Sequence, residues 1–322
     1  ETAQVTDLPA PSAPGVKSAQ PGRQAVSNAA GILPYQDIMY MTHSGEIAAS
    51  RPLDKDQIQP ASIDLRLGTH AYRVDTSFLP GREMTVLEKL EALDPQFDHY
   101  KIDLRAGAVL EKNCVYVVPL LEALALRNDI AAFANPKSST GRLDILTRLI
   151  ADGAAKFDEV ESGYKGQLYI EIAPRSFSIV AKSGARLNQL RFCRSRGENR
   201  APVSTAEWQK LLQEGQIVHT NDDRSKNDLY DKRGMLPFTV DLKGSGKDGA
   251  LIGWRAKKHT GRIDLERRDY DAREFWEPLR FHKCGSIILS PDEFYILMTK
   301  EAIAVPPDYA AEMLPYDTRA GE

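Results

Sequence analysis

Gln59–Gly68 reads QPASIDLRLG, and its second half alternates: Ile63, Leu65 and Leu67 fall on one side, Asp64 and Arg66 on the other. That is the period of a β-strand, whose successive side chains point to opposite faces. Downstream, Leu236–Gly244 reads LPFTVDLKG and places Asp241 where the first stretch has Asp64, a shift of 177 residues. A longer echo runs beside it. VYVVPLLEALALRNDIAAFANP (Val115–Pro136) is answered by FYILMTKEAIAVPPDYAAEMLP (Phe294–Pro315), with Glu122 matching Glu301 at a shift of 179. Two anchors at nearly one shift predict two copies of one β-domain.

The surrounding chain supports a β-rich fold. Tyr100–Leu104, Cys114–Val118, Gln167–Ile172, Phe177–Ala181 and Leu190–Cys193 are short, β-branched or aromatic, and punctuated by Pro and Gly. Thr205–Gln213 (TAEWQKLLQ) reads as a helix, with Trp208, Leu211 and Leu212 on one face. Leu33–Met41 suits a short helix ending near Gly45, and Leu87–Leu93 suits another. Many short strands with few helices predict a mainly β fold, a sandwich or barrel rather than a doubly wound sheet. The expected divisions are a tail over 1–31, a β-domain over 32–193, a polar helix-containing connector over 194–235, and an incomplete second copy over 236–322. The tail is rich in Pro, Ala, Ser and Gly and lacks an apolar signal-peptide core. The chain opens on Glu, and the second copy stops where the first still has strands to come, so a shortened chain is expected.

Composition narrows the function. The 322 residues carry 42 Lys+Arg against 45 Asp+Glu, a net charge of -3, which is not the basic footprint of a duplex-binding protein. The longest apolar stretch, Ala108–Leu126, is broken by Glu111, Lys112 and Asn113, so no helical membrane span is expected. Cys114, Cys193 and Cys284 form no C-x-x-C and suit buried thiols in a reducing cytoplasm.

Three pieces of the first copy carry candidate chemistry. PKSSTGRLDI (Pro136–Ile145) is a polar turn with Lys137, Ser138 and Ser139, flanked by Arg142. A serine N-cap beside free N–H groups binds phosphate, and equally makes an ordinary capped turn. ESGYKGQLYIEI (Glu161–Ile172) is a turn and strand, with Gln167, Tyr169 and Glu171 on one face. Glu171 is either a solvated strand residue or, if that face lines a cleft with Arg142, a general base. RLNQLRF (Arg186–Phe192) is a further strand.

In order and spacing these pieces resemble the dCTP deaminases of the trimeric dUTPase superfamily. KSSTGRLDI looks like the family's R-S-S-L-x-R-L-G-L segment, and GYKGQLYIEI like its G-W-x-G-x-[IL]-x-L-E segment, with an insertion around Gly153 to Val160. The duplicated arrangement looks like the double-length bacterial members. The resemblance implies two tandem dUTPase-like (β-clip, distorted-barrel) domains and hydrolytic conversion of dCTP to dUTP and ammonia, feeding dUMP and dTTP synthesis. It places Glu171 as the base that activates water against cytosine C4, Ser138 beside that water, and Arg142 orienting the carboxylate. Lys137, standing where relatives have Arg, and Ser139 would meet phosphate. Gln189 would touch deoxyribose or base, and Asp64 is structural or touches metal-bound water. Tyr230, Lys232 and Arg233 would close over the triphosphate.

A homotrimer is implied, with sites between subunits. Mg²⁺ would arrive on the phosphates, held by no dedicated protein ligand. Zinc is not expected, because neither H-x-E nor P-C-x-x-C occurs. The second copy has Tyr316 and Asp317 where the first has Lys137 and Ser138, and so reads as catalytically degenerate. A bifunctional deaminase–diphosphatase, a plain dUTPase and a non-catalytic nucleotide-binding regulator remain as alternatives; no nucleic-acid or membrane partner is expected.

Overall fold

The computed structural model describes residues 30–194, 203–214, 217–219, 236–244, 249–281 and 285–313. The first half begins with β1 (Gly31–Ile32), α1 (Tyr35–Ser44), β2 (Ile47–Ala49), β3 (Ile58–Gln59), β4 (Ser62–Arg66) and β5 (His70–Val74). It continues with α2 (Val86–Leu93), β6 (Lys101–Asp103), β7 (Ala108–Leu110), β8 (Val115–Ala125) and β9 (Ile130–Pro136). It closes with α3 (Ser138–Arg142), β10 (Ile145–Ala151), β11 (Glu159–Val160), β12 (Lys165–Pro174), β13 (Ile179–Ala181) and β14 (Arg186–Arg194). The second half has α4 (Thr205–Gln213), β15 (Val218–His219), β16 (Leu251–Ala256) and β17 (Ile263–Asp264), then α5 (Ala272–Phe275), β18 (Trp276–Arg280), β19 (Tyr295–Leu297) and β20 (Ala302–Ile303). The protein is mainly β, with short helices.

Two sheets share the main core of the first half. One runs β11-β9-β14-β4-β3 with β1 added on β14; the other runs β10-β12-β8-β5-β6 with β2 added on β8. Ile63 and Leu65 of β4 meet Val118 of β8 and Leu168, Ile170 and Ile172 of β12 in one apolar cluster. The alternation of β4 is as the sequence predicts, but both faces are covered: Asp64 and Arg66 are buried as fully as their apolar neighbours. Buried charge needs partners. Arg66 donates its backbone N–H and its Nε to Glu122 at 2.8 Å each, and Gln57 donates to the same carboxylate at 2.7 Å.

The other face of β12 is also covered. Tyr169, with Val117 of β8 and Ile150 of β10, packs against Tyr72, Phe78, Val86 and Leu90 in a second, smaller cluster. α2 forms part of that cover, and a Thr85–Glu88 capping box fixes its start. Glu171 shares this face.

The repeat is visible in register. β16 pairs antiparallel with β18 and β19, as β5 pairs with β6 and β8. Trp254 sits opposite Ile296, and Tyr72 opposite Val117, the partners in β19 and β8 again 179 residues apart. Glu122 and Glu301 each accept a backbone N–H from the strand motif of their own copy, though from different positions of it: Arg66, and Thr239 at 2.8 Å. The stretch read as a connector contributes α4 and β15, and β15 pairs with β20. Tyr309 donates to Glu207 of α4 at 2.6 Å.

The halves are joined by backbone and rings. β17 adds parallel to β13, extending a sheet that runs β17-β13-β7. Phe177 meets Phe275 and Trp276 edge-on at 5.7 and 5.3 Å between centroids. Among the described residues no helix is long and apolar enough to cross a membrane.

Candidate active site

Glu171 lies mid-strand on β12, opposite Arg148 of β10 and Val117 of β8. Both neighbours are apolar along most of their length, and the carboxylate is only 2% exposed. Arg148 donates from Nε and Nη2 to a single oxygen, Oε1, at 3.0 and 2.6 Å. The other oxygen, Oε2, is buried and has no hydrogen-bond partner among the described residues. Arg148 also donates to Ser77 Oγ at 2.6 Å, and its guanidinium lies 3.9 Å from the centre of the Phe157 ring. Asp158, next to Phe157, accepts from the Leu149 backbone N–H at 2.7 Å. Burial pushes the Asp158 carboxyl up to about 6; that N–H and Arg148 oppose the rise, and the charge of Glu171 adds to it.

Among the described residues of one chain, Glu171 bonds to Arg148 and to none of the other predicted residues. Ser138, Ser139 and Arg142 are exposed on α3, and Arg142 Nη2 is 3.4 Å from Ser138 Oγ. Ser138 is not the N-cap that the turn suggests: Lys137 holds that position, and no side chain caps the helix. Thr140 points inward instead and ties α3 to the Leu187 carbonyl at 2.8 Å. The arginine that contacts Glu171 is Arg148, not Arg142.

Lys137 forms an ion pair with Asp64, which is buried on β4, and Arg186 approaches the same carboxylate at 3.8 Å. With two cations facing it, Asp64 is a poor ligand for a further cation, and these residues do not fit a protein-held magnesium. Gln189, opposite Asp64 in the sheet, accepts from Ser62 at 3.3 Å. Tyr230, Lys232 and Arg233 lie outside the described residues, as do Tyr316 and Asp317.

Sequence reasoning missed Arg148, Ser77, Phe157 and Asp158. The one usable signal was Arg148 itself, the single charge in the apolar run ILTRLIA of β10. Phe157 and Asp158 lie between β10 and β11, outside the stretches in which the sequence places candidate chemistry.

Comparison with known proteins places this architecture. The family model described as the 2'-deoxycytidine 5'-triphosphate deaminase (DCD) N-terminal domain matches residues 29–196, and the DCD C-terminal domain matches residues 204–322. A crystal structure of 2'-deoxycytidine 5'-triphosphate deaminase from Agrobacterium tumefaciens superposes with a TM-score of 0.77 at 44% identity, covering 86% of this chain and 78% of that one. The dCTP deaminase of Sulfurisphaera tokodaii is 28% identical over 51% of this chain and 80% of its own length. A "dCTP deaminase, dUMP-forming" of Sulfurihydrogenibium sp. is 29% identical over 47% of this chain and 77% of its own. Two consecutive domain matches span nearly all of the described fold. The chain belongs to the dCTP deaminase family, a family of enzymes.

Proposed function

We propose that this chain hydrolyses the amino group of dCTP, giving dUTP and ammonia, with Glu171 as the base. The observation that carries the reading is the state of its carboxylate: buried, one oxygen held by Arg148, the other without a partner. Oε2 takes a proton from water, and the hydroxide adds to C4 of the cytosine. Addition moves the C4–N3 π pair onto N3; the same carboxylic acid then delivers its proton to the amino nitrogen, the pair returns as the C4–N bond breaks and ammonia leaves, and the C4 hydroxyl proton passes to N3 to give the uracil ring.

Ser138 and Arg142 stabilise the charge that develops during this addition. They are exposed on α3 and make no contact with the Glu171 of their own chain, which supports a site assembled between neighbouring protomers of a trimer. Lys137 has donors beyond the one spent on Asp64, and with Ser139 it meets phosphate. Gln189 faces the deoxyribose or base, and Tyr230, Lys232 and Arg233 close over the triphosphate. Magnesium would come with those phosphates and screen their charge. The absence of H-x-E and P-C-x-x-C from the sequence supports a route without zinc.

The test is Glu171→Gln. Ammonia release from dCTP should fall about 10³-fold, within the usual range for losing a positioned base. Binding of dCTP, followed by calorimetry, should persist. Normal turnover in this variant would remove Glu171 from the role. A second reading, deamination followed by release of pyrophosphate, is favoured by the relatives named as dUMP-forming. Product analysis separates the two, since only the second yields dUMP.

A further inference from the structure

We propose that Arg148 is the positioning residue for Glu171, and that Ser77 and Phe157 hold its guanidinium for that task. The inference rests on the reading of Glu171 as base. The family resemblance assigns orientation of the carboxylate to Arg142, but the contact is made by Arg148, outside every motif that carries the resemblance.

Two N–H groups of one planar guanidinium converge on Oε1. This fixes the carboxylate plane and leaves the lone pairs of Oε2 for the water. The positive charge pairs with the buried carboxylate and offsets its desolvation. The guanidinium is in turn fixed from three directions. The β10–β12 register sets Arg148 directly across from Glu171. Ser77 accepts from Nη2, and the Phe157 ring lies against the guanidinium face. A lysine would supply charge without the fork or the flat stacking surface. Phe157 lies in the loop between β10 and β11, so the chain leaving β10 folds back over the guanidinium that this strand carries.

The experiment compares Arg148→Met, Arg148→Lys and Glu171→Gln in the full chain with dCTP. Arg148→Met should lower kcat about 10²-fold with KM changed less than about threefold, the pattern of an interaction made only in the transition state. Arg148→Lys should recover part of the loss, and free guanidinium ion should partly restore Arg148→Met but not Glu171→Gln. If Arg148→Met does not fold, Ser77→Ala and Phe157→Leu give the same reading: kcat falls several-fold at constant KM. Wild-type kcat in Arg148→Met, or in both of those milder variants, overturns the proposal. So does a joint loss of kcat, substrate affinity and thermal stability that neither lysine nor guanidinium relieves. An inactive Glu171→Gln beside a fully active Arg148→Met sinks only the positioning role, whereas an active Glu171→Gln sinks the base itself.

Discussion

Asp158 is held where both its charge and its backbone are uncomfortable. Its φ is +61°, in the left-handed region that Asn enters more readily than most residues. Its carboxyl is raised by burial to about 6, against an ordinary value of 3.8. The native state therefore binds this proton more tightly than the unfolded chain does. Its favourable contribution is complete below about pH 4 and is lost as pH rises through about 6. Asp158→Asn keeps an oxygen for the Leu149 N–H and carries no charge. At pH 8 it should raise stability by about 1 kcal/mol, discounted for partial exposure, and the gain should shrink as pH falls from 6 to 4. Melting curves at pH 8, 6 and 4.5 read this directly; a wild type more stable at pH 8 counts against it.

The same scale shows what a sequence can and cannot disclose. Glu171 is legible because it closes a strand motif. Arg148 is not, because its meeting with Glu171 depends on the register of two strands whose paired residues stand 23 apart.

Among the elements, the join between β4 and β5 is the tightest point. Gly68 donates its N–H to the Pro119 carbonyl at 2.8 Å, and a Cβ built on Gly68 would lie 2.3 Å from that oxygen. The obstacle is backbone already committed to a hydrogen bond, so it cannot give way. Gly68→Ala should destabilise by about 1–3 kcal/mol, read as a lower urea midpoint with an unchanged slope. A midpoint within error of wild type would refute the close approach. α4 occupies the range its periodicity predicts, and α1 ends at Gly45 with a φ of +82°. Tyr100 differs: it ends a short 3₁₀ turn, and the strand begins at Lys101. β9 and β10 escape a reading by pattern. IAAFANP is mostly small residues, and ILTRLIA has no clean alternation because Leu146, exposed on the open face of β10, is as apolar as the buried Ile145 and Leu149. β4 shows the converse, a clear alternation whose polar side is nonetheless buried by ion pairs.

Across the whole molecule, duplication is readable because the two copies keep the same apolar and acidic landmarks. Their junction is not, because Phe177, Phe275 and Trp276 meet across about a hundred residues with no motif to announce it. That ring cluster belongs to the main core. Phe177→Ala should cost about 3–5 kcal/mol, as for other buried aromatics, and should uncouple the halves. Calorimetry should then resolve two transitions where the wild type has one. A single transition at the original temperature would show that the rings do not couple them.

The strand β17 gives the second half a backbone hold on the first. Ile263 and Leu265 donate to the Ser178 and Val180 carbonyls at 3.0 and 3.1 Å, completing the ladder of β13. Because the ladder runs through backbone groups, side-chain substitutions leave it in place, whereas excision would bare a sheet edge and wet Phe177. Such interlocking makes the second half a clamp: its loss would strip the first half of a hydrogen-bonded strand and of the apolar plug over Phe177 together.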